Sequence, residues 1–263
     1  MTTTLRPMAE KVRLGGMALG NGVLVHGPTA WACAVRTEGG EIRIASGRKE
    51  LVGSRVQMPL LRGPARLVEA VAVLPRLKRA LPEAQLPFEG RRALAAMAGT
   101  AAAIGALRRS RLDETTQEIL AGVLAVAPAM VSVRSGSLAG YHGAEHVAIG
   151  TYEHGATAKK EHERCGSHLV GPLLLTGMAG NVLASRAPRE LRPAARLAAS
   201  LGSLAAATEI FGWMTRHPER RLARALARPG HELQHRLSTA EPSPEQLAVA
   251  EAALAACLEL EDA

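Results

Sequence analysis

Four apolar segments in the middle of the chain most constrain what it can fold into. They lie at about residues 93–107, 119–133, 169–184 and 197–214, and arginines flank them. Each has about 15 to 18 residues, whereas a spanning helix needs roughly 20. Only 2% of the chain is aromatic although 47% is hydrophobic, so alanine, leucine and valine dominate. Small side chains let helices pack closely in water or in lipid, so the sequence predicts a mainly α bundle, either soluble or multi-pass transmembrane, with about four apolar helices.

The apolar body has smaller elements on both sides. Strands are expected at residues 22–26, 30–36 and 41–45, because short β-prone runs there are separated by glycine-containing turns. An amphipathic helix interrupted by Pro75 is expected at 64–84, and another helix at about 244–259. The expected division is an N-terminal β-rich segment (1–63), a helical body (64–216) and a polar helical tail (217–263).

The charge of the chain argues against one class of partner. The formal net charge is +8 and the isoelectric point is near 10.1. The arginines, however, flank apolar runs and form no patch with aromatic residues for stacking on bases. We therefore expect no nucleic-acid partner. The arginines fit either cytoplasmic loops of a membrane protein or solvated helix ends.

A five-residue motif, His142-Gly-Ala-Glu145-His146, indicates a metal site. Two histidines four residues apart on a helix lie one turn apart on the same face and can bind one ion. The order His-x-x-Glu-His is that of the inverse zincins, in which both histidines bind zinc and the glutamate takes a proton from the metal-bound water. This order assigns the role of catalytic base to Glu145.

Further ligand candidates follow the motif. His162 and Cys165 are spaced so that one turn brings both to the same ion. All four ligands together would close a tetrahedral site, which is generally structural; alternatively, Cys165 is a nucleophile activated by a histidine. Glu153 is either a ligand or a partner of a ligating histidine. Glu209 interrupts an apolar helix, and we expect it to meet the metal or a ligating histidine.

These residues resemble the YqhQ-like bacterial family, a domain-of-unknown-function family of predicted metal-dependent enzymes usually interpreted as multi-pass membrane proteins. The resemblance extends over nearly the whole chain. It is based on the glycine-rich segment 15–28, the elements YHGAEH (141–146) and HERCG (162–166), and the later segment LQHRLSTAEP (233–242). It implies a location in the bacterial cytoplasmic membrane, with the cytoplasm as the alternative.

Two functional hypotheses follow. The first is a metal-dependent enzyme, most simply a hydrolase. It would use a divalent metal ion, zinc in the first place, with Glu145 as the base. The second is a non-catalytic membrane scaffold or assembly protein with a structural His/Cys metal site. The expected partners are a membrane and a small-molecule, lipid or peptide substrate, with a homo-oligomer as a further option.

Overall fold

A computed structural model describes residues 11–50, 53–133 and 136–263 of the chain. It is mainly helical with a small N-terminal antiparallel sheet, as the sequence predicts. The strands are β1 (Gly15–Leu19), β2 (Gly22–His26), β3 (Ala30–Arg36) and β4 (Ile42–Arg48), paired in the order β1-β2-β3-β4. The helices are α1 (Arg62–Ala72), α2 (Leu74–Ala80), α3 (Arg91–Leu107), α4 (Glu114–Leu124), α5 (Ala127–Val133), α6 (Gly136–His154), α7 (Val170–Ser185), α8 (Arg192–Arg216), α9 (Arg221–Leu233) and α10 (Pro244–Asp262).

The central strands are buried on both faces. Successive side chains of β2 point to opposite faces of the sheet. Val23 and Val25 therefore pack with α6 and α10, whereas Leu24 packs on the other side with Leu74 and Leu77 of α2. Helices cover both faces, which explains why β2 and β3 are almost continuously apolar.

The C-terminal helix is part of the same packed core as the sheet. α10 begins with a capping box between Ser243 and Gln246, which satisfies two backbone groups at its first turn. Val249, Ala250 and Cys257 are fully buried against the sheet and α6. The C-terminal helix α10 thus packs directly on the N-terminal sheet as well as on α6.

Two helices, and not the expected four, are candidate membrane spans among the described residues. They are Gly166–Ser185, which extends α7 by a short 3-10 turn, and Arg189–Arg216, which contains α8. The prediction of about four such helices is wrong for two reasons. α3 has only 17 residues, and the segment at 119–133 is divided between α4 and α5, just before Pro128, which cannot continue a helix without losing a backbone hydrogen bond.

The two candidate spans form a helical hairpin. α7 and α8 pack against each other. The Thr176 hydroxyl donates to the backbone carbonyl of Ser203 at 3.0 Å, and the Ser203 hydroxyl donates to that of Thr176 at 2.8 Å. Only 22% of the residues in each apolar window are buried. Several leucines of the hairpin are 49–66% exposed and can contact a bilayer or another protein: Leu175, Leu183, Leu197 and Leu201.

Candidate metal centre

α6 contains the whole five-residue motif, including the three candidate site residues His142, Glu145 and His146. His142 and His146 lie one turn apart, with ring centroids separated by 4.4 Å. His146 and Glu145 are buried, at 3% and 6% exposure. The helix runs unbroken to His154, so the expectation that both histidines share a helical face is confirmed.

Two backbone carbonyls fix the histidine tautomers. His142 Nδ1 lies 2.8 Å from the carbonyl oxygen of Ser238, and His146 Nδ1 lies 2.5 Å from that of Lys160. A carbonyl oxygen can only accept, so each Nδ1 carries a proton and donates it. Each Nε2 therefore keeps its lone pair, which is the arrangement of a metal-ligating histidine with an outer hydrogen bond.

Cys165 completes a group of three ligand atoms. Its Sγ lies 3.4 Å from His142 Nε2, and the ligand atoms of His142, His146 and Cys165 all lie within 4.8 Å of one another. Tetrahedral zinc with ordinary Zn–N and Zn–S bonds holds such atoms roughly 3.3–3.6 Å apart. His146 Nε2 is buried and has no hydrogen-bond partner among the described residues. These residues therefore fit a divalent metal ion after small side-chain movements.

His162 lies beside this group but has a different partner. Its Nε2 is 3.2 Å from Glu153 Oε2, and Glu153 also forms an ion pair with Arg164. The ring of His162 is 5.6 Å from that of His146. Glu153 thus contacts a histidine at the edge of the site, and the four-ligand group of His142, His146, His162 and Cys165 is not assembled.

Gln234 supports the loop that carries Cys165, and sequence reasoning missed it. Its side chain is fully buried, accepts from the backbone N–H of His162 at 2.8 Å and donates to Ser167 Oγ at 2.7 Å. It lies 3.2 Å from His168 Nδ1. A single turn of π-helix begins at Gln234, and this turn also presents the Ser238 carbonyl to the site.

Glu209 lies outside the metal group. Its Oε1 accepts from Arg62 Nε at 2.8 Å and from the backbone N–H of Leu60 at 3.1 Å. The partner that this carboxylate requires is therefore Arg62 in α1, in place of the metal or histidine that we expected. The pair joins the N-terminal end of α1 to the apolar helix α8.

The carboxyl group of Glu145 packs against the backbone of the edge strand β1. A Cβ atom at Gly16 would lie 2.6 Å from Glu145 Cδ and 2.7 Å from its Cγ, which is closer than carbon atoms approach. Only glycine leaves room for this carboxyl group. Glycine-rich composition is the sequence signal for such a close approach, although only glycine-containing turns were expected in this segment.

A cavity of about 360 Å³, here the site cavity, lies between β1 and α6. Its lining includes both motif histidines, Glu145, Cys165 and His26. Lys49 donates to His26 Nδ1 at 3.1 Å and to the Gly27 carbonyl at 2.6 Å, and it pairs with the buried Glu69. Because ammonium has no acceptor, the His26 proton is on Nε2. The neutral imidazole of His26 thus lines the site cavity in addition to the two motif histidines.

Burial shifts the pKa values of the site residues towards their uncharged forms. Burial raises the pKa of Glu145 to about 8, with His142 lowering it and Cys165 raising it further. Burial also lowers the pKa of His146 to about 3 and raises the pKa of the Cys165 thiol. The site at neutral pH is therefore largely uncharged, and binding of a metal ion would require release of the thiol proton.

Comparisons with known proteins address the family of the chain. No curated protein and no solved structure matches it. A family model described as "Protein of unknown function (DUF1385)" matches residues 120–260, just over half of the chain. The matched part contains the three candidate ligands, Glu145 and both candidate spans, whereas the sheet lies outside it. The chain belongs to the DUF1385 family.

Proposed function

We propose that the protein is a metal-dependent hydrolase whose divalent ion, zinc by ligand chemistry, is held by His142 Nε2, His146 Nε2 and Cys165 Sγ. The observation that carries the proposal is the pair of Nδ1–H donations to the carbonyls of Ser238 and Lys160. These hydrogen bonds orient both Nε2 lone pairs towards the thiol. Two imidazoles and one thiolate are a ligand set suited to zinc.

The number of ligands favours a catalytic site over a structural one. Three protein ligands leave one tetrahedral position for water or substrate, whereas structural zinc sites generally have four. His162, whose ring lies 5.6 Å from that of His146, is hydrogen-bonded to Glu153. The three ligands line the site cavity of about 360 Å³, which gives a substrate access to the fourth position.

The surrounding side chains would divide the chemistry between them. A divalent ion in this position supplies a Lewis acid and lowers the pKa of a bound water towards 7. Glu145 shares the site cavity with the ligands and is the group placed to accept a proton from that water. Ionisation of Glu145, which burial opposes, becomes favourable beside a bound cation because opposite charges attract strongly in a buried site.

The hydrolase would act at a membrane. One end of the hairpin lies near the metal group. The first candidate span starts at Gly166, next to Cys165, and Met214 and Thr215, near the end of the second, line a cavity together with His162 and Arg164. An ion held at this end of the hairpin would lie near the polar boundary of a bilayer. The family resemblance suggests the bacterial cytoplasmic membrane.

Metal analysis of four proteins tests the proposal. We expect near-stoichiometric zinc in the wild type and in His162→Ala, and loss of at least tenfold in affinity in His142→Ala and Cys165→Ala. Replacement of zinc by Co²⁺ should give a sulfur-to-cobalt absorption band that disappears in Cys165→Ser. His162→Ala is the deciding variant, because a closed structural site that recruits His162 as fourth ligand loses its metal there. No metal in the reconstituted wild type would refute the proposal.

A further inference from the structure

A second, larger cavity of about 740 Å³, here the distal cavity, adjoins the metal group from the other side. The end of α6, the loop at 155–165, the end of α8 and α9 enclose it. His162 and Arg164 line both the distal cavity and the site cavity. A molecule in the distal cavity therefore lies within one layer of side chains of the metal ligands.

The lining of the distal cavity is divided by polarity. The lining from α8 and α9 is mostly apolar and includes Phe211, Met214 and Ala227, although Arg224 of α9 also lines the cavity. Its polar side comes from the loop before Cys165 and includes Lys159 and Arg164. A cavity of this volume is of the size that binds drug-sized organic molecules. The division fits a ligand with an apolar chain and a polar head directed towards the metal.

Charge favours an anionic head. Two of the lining acids already have partners, because Glu153 pairs with Arg164 and Glu161 lies 3.0 Å from His235. Lys159 and Arg224 also line the cavity and have no carboxylate partner among the described residues, so two cationic side chains are available to a head group. The lining has three carboxylates and three cationic side chains, but two of the carboxylates are engaged by their partners whereas two of the cations are not. An oxyanion can pair with these two cations, and it is also a natural ligand for a metal ion.

The position of the distal cavity gives an apolar chain a route of entry. His168, in the first turn of one candidate span, and Met214, near the end of the other, both line it. The cavity thus lies at one end of the hairpin, and both helices of the hairpin carry exposed leucines, such as Leu183 and Leu197. An amphiphile dissolved in a bilayer could enter here with its head at the polar boundary.

We propose that the distal cavity binds an amphiphile with an anionic phosphate or carboxylate head, and that such amphiphiles are the substrate class of the enzyme. The first part depends only on the cavity, whereas the second rests on the proposed hydrolase function. Binding and metal dependence can therefore fail separately.

Quenching of Trp213 fluorescence measures the binding. The protein, purified in a neutral maltoside detergent, is titrated with 12-bromododecyl phosphate, because bromine quenches indole at short range. Trp213 lies on α8 between two lining residues, Phe211 and Met214, whereas Trp31 is 4% exposed in the core beneath the sheet and supplies a constant background. We expect saturable quenching.

Matched variants on α9 decide whether the probe occupies the cavity. Ala227→Phe fills the apolar side and should raise the apparent Kd at least tenfold, whereas Ala225→Phe, exposed and outside the lining, should leave it within twofold. Arg224→Glu should weaken binding, and Arg228→Glu, its exposed control, should not. Equal quenching in all four variants would mean that the probe reaches Trp213 from the detergent and would overturn the proposal.

The head group is tested with two further probes. 12-Bromododecanoate distinguishes carboxylate from phosphate, and 12-bromododecyltrimethylammonium is expected to bind at least tenfold more weakly; equal binding of the cation refutes the anionic head. In Co²⁺-loaded protein the bound phosphate probe should change the cobalt spectrum, and an unchanged spectrum overturns its assignment as a substrate analogue. Saturable binding by a protein that takes up no metal refutes the hydrolase and leaves the lipid-binding cavity standing.

Discussion

Substitution of Gly16 by alanine should displace the carboxyl group of Glu145. The new Cβ would lie 2.6 Å from Glu145 Cδ, about 0.8 Å short of the 3.4 Å at which ordinary contact begins. Because Glu145 is 6% exposed, its carboxyl group can move away from β1 only within the site cavity, which changes its position relative to the proposed ligands. Overpacking of this kind costs about 1–3 kcal/mol. Gly16→Ala should therefore lower the melting temperature by roughly 2–4 °C per kcal/mol lost.

A double-mutant cycle with Glu145→Asp isolates this contact. Aspartate is one methylene shorter, so it vacates the space that the alanine needs. We expect Gly16→Ala to cost less than about 0.5 kcal/mol in the Glu145→Asp background, which gives a coupling energy of more than about 0.5 kcal/mol. Free energies of unfolding are measured by denaturant titration in one detergent.

Gly166→Ala is the matched control, because a Cβ there meets nothing within 4 Å although the residue follows Cys165. Its effect should be additive with Glu145→Asp. Metal content should stay at the wild-type level in Gly16→Ala, since the three atoms nearest to a Cβ at Gly16 all belong to Glu145 and none to a proposed ligand. Additivity of Gly16→Ala and Glu145→Asp within about 0.5 kcal/mol would refute the close approach of β1 to the site.

Two further predictions concern the charged groups behind the sheet. Glu69→Ala should cost about 3–5 kcal/mol, because it leaves the buried Lys49 ammonium unpaired; Glu83→Ala, which breaks a pair with the half-exposed Arg43, should cost less than about 1 kcal/mol, and equal losses in denaturant unfolding would contradict this. Burial, reinforced by Lys49, lowers the pKa of His26 from 6.5 to about 4. The unfolded chain then binds a proton more readily between pH 6.5 and 4, so stability is retained above pH 6.5 and falls by up to about 3 kcal/mol as the pH drops to 4. His26→Phe should lack this part of the pH dependence, and identical pH profiles in unfolding experiments would refute the assignment.

Local sequence pattern was sufficient for most of the secondary structure. The bounds of β2 and β3 are those expected, because glycine-containing turns lie between the strands and each strand contains β-prone residues such as valine or tryptophan. The break at Pro75 separates α1 from α2 as predicted. β1 was not among the strands expected by position, because its sequence GGMAL has little β propensity and is held by pairing with β2. Pairing is a long-range property that no local window contains.

The membrane question shows a different limit of sequence reasoning. Apolar composition identified all four segments, but spanning requires an uninterrupted helix of sufficient length. Only the structure shows that α4 ends at Leu124 and that α5 begins at Ala127. Glu118, a polar group just before this segment, is buried and pairs with Arg108 and Arg196. A buried carboxylate with two arginine partners fits a helix junction inside protein better than a surface facing lipid.

The candidate site divides into a part coded locally and a part coded by the fold. The four-residue spacing of His142 and His146 requires only a helix, so sequence alone could place both imidazoles on one face. The selection of Nε2 as the free nitrogen instead depends on the carbonyls of Lys160 and Ser238, and the latter is 96 residues from His142. Backbone carbonyls leave no signature in a sequence, because every residue has one. A motif can therefore nominate ligands, but only the packing of the π-helical turn and the 155–165 loop against α6 orients them for an ion.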